Sequence, residues 1–516
     1  MRPLTLADVF DTKVLSSPQV APDGQRVAFV VGDMYKDGTP SPKSQIWIVN
    51  SDGTDCRPFS TGPRTDHSPR WSPDGEWLAF LSDRMNEDGK DELFLLSRQG
   101  GEARRLFEAK SGVGGEARAH PFAWSPDGRQ IAFLMSDPET DEEKKAKEQK
   151  NDPILFEHDH KFMRVWLAEV ATGETRCVTT EAMQVWGFGW SPDGKQFALI
   201  VSDEPYEWSW YHAKLATAAA GGGSIRVIYD PAPRQITLPR WSPDGSHISF
   251  LQSVWSDRGV VSGDLHLIPS KGWEIDGYLL LPEGYSEGKR VPLFTWVHGG
   301  PTSLFTPRYW NSMPFGYYAS KGFAVFLPNP RGSTGRGLTF AEANVGDMGG
   351  QDFADIMAGI ERLIESGVAD PDRLAIGGWS YGGYTTAWAV TQTDRFKCAV
   401  MGAGICNWLS FHGVSKLCEW DRVHYNVNPY ELHATFERFS PLTHITNVRT
   451  PTLIIHGEKD WDVPPSQGYE FFRALKQHGV PTELRVYPRE EHGFEERAHQ
   501  RDWVEYAIGW LERWLV

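Results

Sequence analysis

Gly378-Trp379-Ser380-Tyr381-Gly382 is a G-x-S-x-G pentapeptide set between an apolar, strand-like run (Leu374, Ala375, Ile376) and a helix-like stretch from Gly383 to Val390. A strand that turns sharply into a helix holds such a serine in a strained backbone geometry, and small neighbours keep its hydroxyl open. This is the setting of a nucleophile elbow. It predicts a doubly wound, mostly parallel α/β-hydrolase sheet with Ser380 at the C-terminal end of one strand.

Two further strand ends carry the groups a serine needs. Pro451 to Ile455 reads as a buried strand running into His456-Gly457-Glu458-Lys459-Asp460, and Glu483 to Tyr487 leads into Pro488-Arg489-Glu490-Glu491-His492-Gly493. The order is Ser, Asp, His, each just past a separate predicted strand. A serine hydroxyl is a poor nucleophile at neutral pH, so it needs a base within reach, and the base needs a carboxylate to fix its tautomer. Ser380, His492 and Asp460 can fill these three roles. Val291 to Val297 reads as a fully buried strand followed by His298-Gly299-Gly300-Pro301, whose glycines let a backbone N–H approach developing negative charge. Gly300 and Tyr381, the residue after the serine, are the candidate oxyanion donors.

At 516 residues the chain suits two or three domains, and 40% hydrophobic with 23% charged residues is a globular composition. The net charge of −16 argues against nucleic-acid binding, which needs a basic face. Charged runs such as Asp141 to Lys150 read as solvated loops. Five cysteines (Cys56, Cys177, Cys398, Cys406, Cys418) suggest neither a disulfide framework nor a metal site, and point to a reducing compartment. Met1 to Leu15 carries Asp8 and Asp11 and no apolar core, and no stretch approaches the roughly 18 apolar residues of a membrane span. The expected location is the cytoplasm, with no membrane partner.

Upstream of the hydrolase motifs the sequence repeats. Ser72-Pro73-Asp74-Gly75, Ser125-Pro126-Asp127-Gly128, Ser191-Pro192-Asp193-Gly194 and Ser242-Pro243-Asp244-Gly245 each follow a tryptophan (Trp71, Trp124, Trp190, Trp241), and Ala21-Pro22-Asp23-Gly24 is a degenerate first copy. These residues suit the successive positions of a type I turn, and alternating β-rich runs follow. The prolines are 51, 53, 66 and 51 residues apart, the period of a four-stranded blade. A β-propeller over residues 1–268 is the expectation, its tryptophans packing between strands and its extreme N-terminus free to pack on the catalytic domain, residues 269–516.

A Trp-Ser-Pro-Asp-Gly array followed by Gly-Trp-Ser-Tyr-Gly-Gly, with Asp and His after it, resembles the prolyl oligopeptidase family of serine peptidases. Asn407-Trp408-Leu409-Ser410-Phe411-His412-Gly413 and Asn329-Pro330-Arg331-Gly332-Ser333 resemble its acylaminoacyl-peptidase branch. The resemblance implies that Ser380, Asp460 and His492 are the triad, that Gly300 and Tyr381 give backbone oxyanion donors, and that no metal or organic cofactor is needed. It also implies that Trp408 and Phe411 line the S1 pocket with Val463 nearby, although plain core packing suits both aromatics equally. Asn329 and Arg331 read as loop-structuring residues. The propeller would admit only small, unstructured peptides.

The chain departs from the family pattern in two places. Family propellers commonly have seven or eight blades, and here only about 250 residues precede Lys271-Gly272-Trp273-Glu274-Ile275-Asp276-Gly277, which resembles the entry to the catalytic domain. Many members also carry arginine two positions after the triad aspartate, where this chain has Asp462. A carboxylate only accepts, so its natural substrate partner is a free α-amino group; pairing with a neighbouring arginine or lysine is the other reading. The resulting expectation is a serine peptidase that cleaves short peptides through an acyl-enzyme, from or near the N-terminus, with a homo-oligomer left open. A carboxylesterase and a peptide-binding propeller with an inactive hydrolase domain are the alternatives.

Overall fold

The computed structural model describes residues 4–114, 121–158, 160–257, 275–306 and 314–515. Gly263 to Leu267 and Lys271 to Glu274, read above as the end of the array and the entry to the catalytic domain, lie outside them. The chain divides into two compact units, Lys13–Ser253 and a second made of Val254–Val516 with Met1–Thr12. The division falls before residue 268, the boundary read from the sequence. In the second unit Arg497 Nη1 donates to Phe10 O at 2.6 Å and to Asp11 Oδ1 at 2.8 Å.

The first unit is a propeller array of four four-stranded antiparallel sheets followed by a pair of strands, Gln235–Trp241 and Ile248–Ser253. Each Ser-Pro-Asp-Gly turn closes in the same way. Ser72 Oγ donates to Asp74 Oδ1 at 2.5 Å and accepts from Trp77 N at 3.0 Å, and the same pair of bonds recurs at Ser125, Ser191 and Ser242. Gly75 adopts φ 72°, a conformation that favours glycine. In the degenerate copy Ala21 has no hydroxyl, and the Asp23 carboxylate pairs instead with Arg98 Nη2 at 2.5 Å.

What joins blade to blade is the tryptophan before each of three turns. Trp71 Nε1 donates to Gln19 O, Trp124 Nε1 to Arg70 O at 3.1 Å and Trp190 Nε1 to Ala123 O, each a carbonyl on the first strand of the preceding blade. The apolar cores follow the same plan. Ala28, Ile46 and Ile48 of the first blade pack with Leu78, Phe80 and Phe94 of the second, and Leu93 and Leu95 with Ile131 and Phe133 of the third. The core therefore lies between consecutive blades. The second strands of the inner blades are buried on both faces, whereas Arg26–Asp33 in the first blade is fully buried only at alternate residues.

One expectation is corrected here. Asp141–Glu148 is a helix, not a loop, although it buries no side chain. Thr140 and Glu143 form a capping box at its start, and three acidic residues in the first turn favour the positive end of the helix dipole.

The second unit holds a seven-stranded sheet. We label its strands β1 (Asp276–Leu280), β2 (Val291–Val297), β3 (Ala324–Asn329), β4 (Ala369–Trp379), β5 (Phe396–Gly402), β6 (Thr452–Gly457) and β7 (Thr482–Tyr487). Their spatial order is β1-β3-β2-β4-β5-β6-β7, antiparallel only where β1 meets β3. β2 and β6 are buried along their whole length, as strands covered on both faces must be. Helices α1 (Gln351–Glu365), α2 (Tyr381–Gln392), α3 (Trp408–Val414), α4 (Trp420–Tyr425) and α5 (Arg497–Leu515) are those that bear on the site.

The tryptophan bonds yield a paired test. Trp241 Nε1 is buried with no hydrogen-bond partner, unlike Trp124 Nε1. Trp124→Phe should lower the stability of the array by about 1 kcal/mol more than Trp241→Phe, the worth of one backbone-directed bond, read as the shift in urea midpoint. Equal shifts would remove the bond from the account.

Candidate active site

β4 delivers Ser380 to the head of α2 with φ 61° and ψ −120°, a left-handed conformation that a residue with a Cβ adopts only under constraint. The constraint is backbone crowding. A Cβ on Gly378 would lie 2.5 Å from Gly382 C, one on Gly382 2.1 Å from Val297 O, and one on Gly383 2.3 Å from Gly402 O. Glycine at these positions lets α2 settle directly on β2 and β5. Ser380 N donates to Gly402 O at 3.0 Å and Tyr384 N to Ser380 O at 2.9 Å, which fix the turn. The helix begins at Tyr381, two residues before the start read from the sequence.

The loops after β6 and β7 meet beside this serine. Asp460 is fully buried. Its Oδ1 accepts from Val463 N at 2.8 Å and its Oδ2 lies 2.8 Å from His492 Nδ1, so Nδ1 carries the proton and Nε2 is left to act as base. His456, also fully buried, donates Nε2–H to Val463 O at 2.7 Å and braces the same loop. His492 is tied to the elbow by Trp379, whose Nε1 donates to His492 O at 2.8 Å. Beneath it, Glu490 accepts from Glu495 N, Glu496 N and His499 Nδ1 at 2.7, 3.0 and 2.8 Å.

Charge around His492 is strongly one-sided. Burial disfavours the imidazolium, but the Asp460 carboxylate, with Asp462 and Asp257 behind it, outweighs that and raises His492 to about 9. For Asp460, burial raises its value while His492 and His456 pull it down, and the net shift leaves it well below the usual carboxylate range.

The loop after β2 lies against the serine. A Cβ on Gly299 would sit 3.2 Å from Ser380 Cβ, and Gly300 takes φ 118°. His298 anchors this loop, with Nδ1 donating to Gly299 O at 2.7 Å and Nε2 3.0 Å from Ser333 Oγ. Burial lowers His298 to about 4, so it stays neutral. Asn329 exchanges two bonds with the Phe305 backbone, and Arg331 makes a two-bond pair with Asp355. The backbone of Tyr381 is held from the other side, because its hydroxyl donates to the buried Asp352 Oδ2 at 2.5 Å.

These groups border one cavity of about 440 Å³. Ser380, Tyr381, Gly300, His492, Phe411, Asp462 and Val463 all line it. Trp408 does not. It is fully buried behind the wall, its ring stacked on Trp420 with centroids 5.5 Å apart and its Nε1 bonded to Phe439 O. The reading of Trp408 as a pocket residue is therefore corrected: four neighbouring rings and a backbone acceptor use up its surface. Trp420, Ile405 and Leu417 form the apolar wall with Phe411, and Asp257 joins Asp462 as a second acidic lining residue. None of these four had a motif to announce it. Trp379 was inside the pentapeptide but its bond to His492 O was not legible there.

Elbow, buried carboxylate and imidazole at strand ends define a serine hydrolase of the α/β type joined to a propeller. Comparison with known proteins makes the class specific. Residues 310–516 match the prolyl oligopeptidase family, and residues 9–152 match the TolB beta propeller domain. The uncharacterized peptidase YuxL of Bacillus subtilis is 27% identical, covering 99% of each chain, and dipeptidyl-peptidase 5 of Porphyromonas gingivalis is 26% identical over 96% of this chain and 66% of that one. The fold resembles that of Pyrococcus horikoshii acylaminoacyl peptidase, with TM-score 0.72, 20% identity, and 98% and 97% of the two chains covered. The protein is a serine peptidase whose catalytic domain belongs to the prolyl oligopeptidase family.

The raised value of His492 has a direct consequence. Its imidazolium holds no lone pair for the serine proton, so the rate of fluorophosphonate labelling should climb with pH through about 9. A labelling rate already at its plateau by neutral pH would show that the three carboxylates do not act on His492 in this way.

Proposed function

We propose that Ser380, His492 and Asp460 are the catalytic triad of an enzyme that cleaves short peptides from or near the N-terminus through an acyl-enzyme. The observation that carries this is the 2.8 Å bond to a buried, doubly bonded Asp460 from His492, which lines one cavity with the elbow serine. Ser380 Oγ attacks the scissile carbonyl as His492 Nε2 takes its proton. The oxyanion is stabilised by the N–H groups of Tyr381 and Gly300, and the imidazolium then hands the proton to the leaving amine. Water, deprotonated by the same imidazole, releases the acyl group. The wall of Phe411, Trp420, Ile405, Leu417 and Val463 suits an apolar side chain at the residue that supplies the carbonyl.

Relatives named as a dipeptidyl-peptidase and an acylaminoacyl peptidase support cleavage close to the N-terminus over a general esterase activity. A reducing, cytoplasmic setting is the reading we attach to five free cysteines, two of them buried. Among the described residues no helix is long and apolar enough to cross a membrane.

Ser380→Ala should abolish both fluorophosphonate labelling and peptide cleavage. Asp460→Asn should lower kcat by on the order of 10⁴-fold by favouring the wrong tautomer of His492, and Asp462→Asn should cost far less in the chemical step. Cleavage of a defined peptide mixture with each variant reads all three, and the reverse ranking of the two aspartates would displace Asp460 from the triad.

A further inference from the structure

Two carboxylates in the cavity have no task in acyl transfer. Among the described residues that line it, the charged side chains besides His492 are both acidic, Asp257 from the segment after the last propeller strand and Asp462 from the loop that carries Asp460. A carboxylate oxygen of Asp462, one of Asp460 and a ring nitrogen of His492 all lie within 4.8 Å of one another. Much of the remaining lining is apolar, with Phe411, Leu417 and Trp420. A substrate with a free N-terminus brings a positive charge into a cavity whose charged side chains, His492 apart, can only accept.

Resting on the peptidase reading above, we propose that Asp257 and Asp462 bind the free α-ammonium group of the substrate, and that this cation in turn releases His492 to act as base. Asp462 Oδ1 lies 3.0 Å from Lys416 Nζ, and the lysine side chain is 45% exposed. Exposed pairs of this kind are weak, and an ionised carboxylate can accept at about four sites, so the lysine leaves room for a second donor.

The groups facing His492 set the direction of the effect. Asp460 and His456 belong to β6 and the loop after it, Asp462 to the same loop, Asp257 to the segment after the array, and Glu490 and Glu491 to the histidine's own loop. Of these, Asp460, Asp462 and Asp257 hold the imidazolium charged. Glu490 is committed to its own loop and to His499. An ammonium group seated on Asp257 and Asp462 offsets their pull. The His492 proton then leaves to water, and the neutral imidazole can take the proton of Ser380. A blocked N-terminus brings no such charge, so the enzyme discriminates in the chemical step as well as in binding.

The test compares three chromogenic substrates with an aromatic residue at the scissile carbonyl: a dipeptide with a free N-terminus, its N-acetyl form, and the N-acetyl form with lysine as first residue. Each is followed over roughly pH 6 to 10, because kcat reports the ionisations of the enzyme–substrate complex. Near neutral pH the free dipeptide should be favoured about tenfold or more in kcat/KM, and its acidic limb in kcat should lie about one pH unit below that of the acetylated form. Asp462→Asn and Asp257→Asn should shrink the preference and move the acetylated substrate's limb to lower pH, since removing a negative neighbour lowers His492. Equal kcat/KM and coincident limbs, with Ser380 still labelled, would overturn the proposal and leave the peptidase reading standing. Full rescue by the acetylated lysine substrate would also overturn it, by assigning the cation to a side chain. Loss of labelling at Ser380 would overturn both.

Discussion

The positive φ of Ser380 is the constraint on which the catalytic unit depends. A strained backbone of this sort costs on the order of 1–3 kcal/mol and persists only where its surroundings leave no alternative. Here they leave none, because α2 is buried at all but its last residue and rests against strand backbones at separations that exclude a Cβ at Gly378, Gly382 and Gly383. The turn cannot relax without lifting the helix from the sheet. Everything else is aligned to that fixed point. Gly299 approaches the serine from β2, and Trp379 ties the His492 loop to the strand that carries it.

Electrostatics then divides two buried carboxylates with opposite fates. Asp460 keeps its charge because both oxygens are satisfied and two imidazoles adjoin it, as a buried charge requires. Asp352 also accepts from Gly349 N, Phe353 N and the Tyr381 hydroxyl, yet these bonds do not offset its burial, which raises it to about 6. The first arrangement holds the imidazole we assign as base. The second holds a phenol, and through it the backbone N–H we assign to the oxyanion. Both act by position, and neither has to touch substrate.

How far these features were legible in the chain depends on whether backbone or side chains set them. The elbow glycines, the His-Gly-Gly-Pro loop and the Ser-Pro-Asp-Gly turns answer to local backbone demands, so their residue types are fixed within four or five positions. The strand end at Asp460 could be placed because a fully buried strand leaves an unbroken apolar run, whereas the strand before His492 is only half-buried and shows as an alternation of polar and apolar residues. The pocket wall could not be placed. Trp408 and Trp420 each begin a short helix, and which one faces the cavity is decided by packing among Tyr384, Phe411 and Tyr425. Asp257 sits in a stretch with no pattern at all. Asp141 to Lys150 misled for a related reason, since a helix with no buried face has no apolar period to read, and only the Thr140–Glu143 capping box marks it.

The propeller array shows why the number of blades can vary while each interface is kept. Its cores lie between consecutive blades, and its tryptophan bonds run only to the blade before. Stability of this kind is a sum of neighbour terms, so removing units leaves the remaining interfaces intact. The alignment with the Bacillus relative runs over 669 positions, more than the 516 residues present here, so that relative has stretches with no counterpart in this chain. The cost falls on the ends. Val27, Phe29 and Val31 of the first blade are only half-buried, and Ile248–Ser253 is fully buried only at its last residue, where the corresponding strands of the inner blades are covered on both faces. At the last repeat the clasp itself fails, because the Trp241 indole reaches no acceptor. Among the described residues, thinner burial and the missing inter-blade bond thus coincide at the same end of the array, as they must if each blade is held chiefly by the ones beside it.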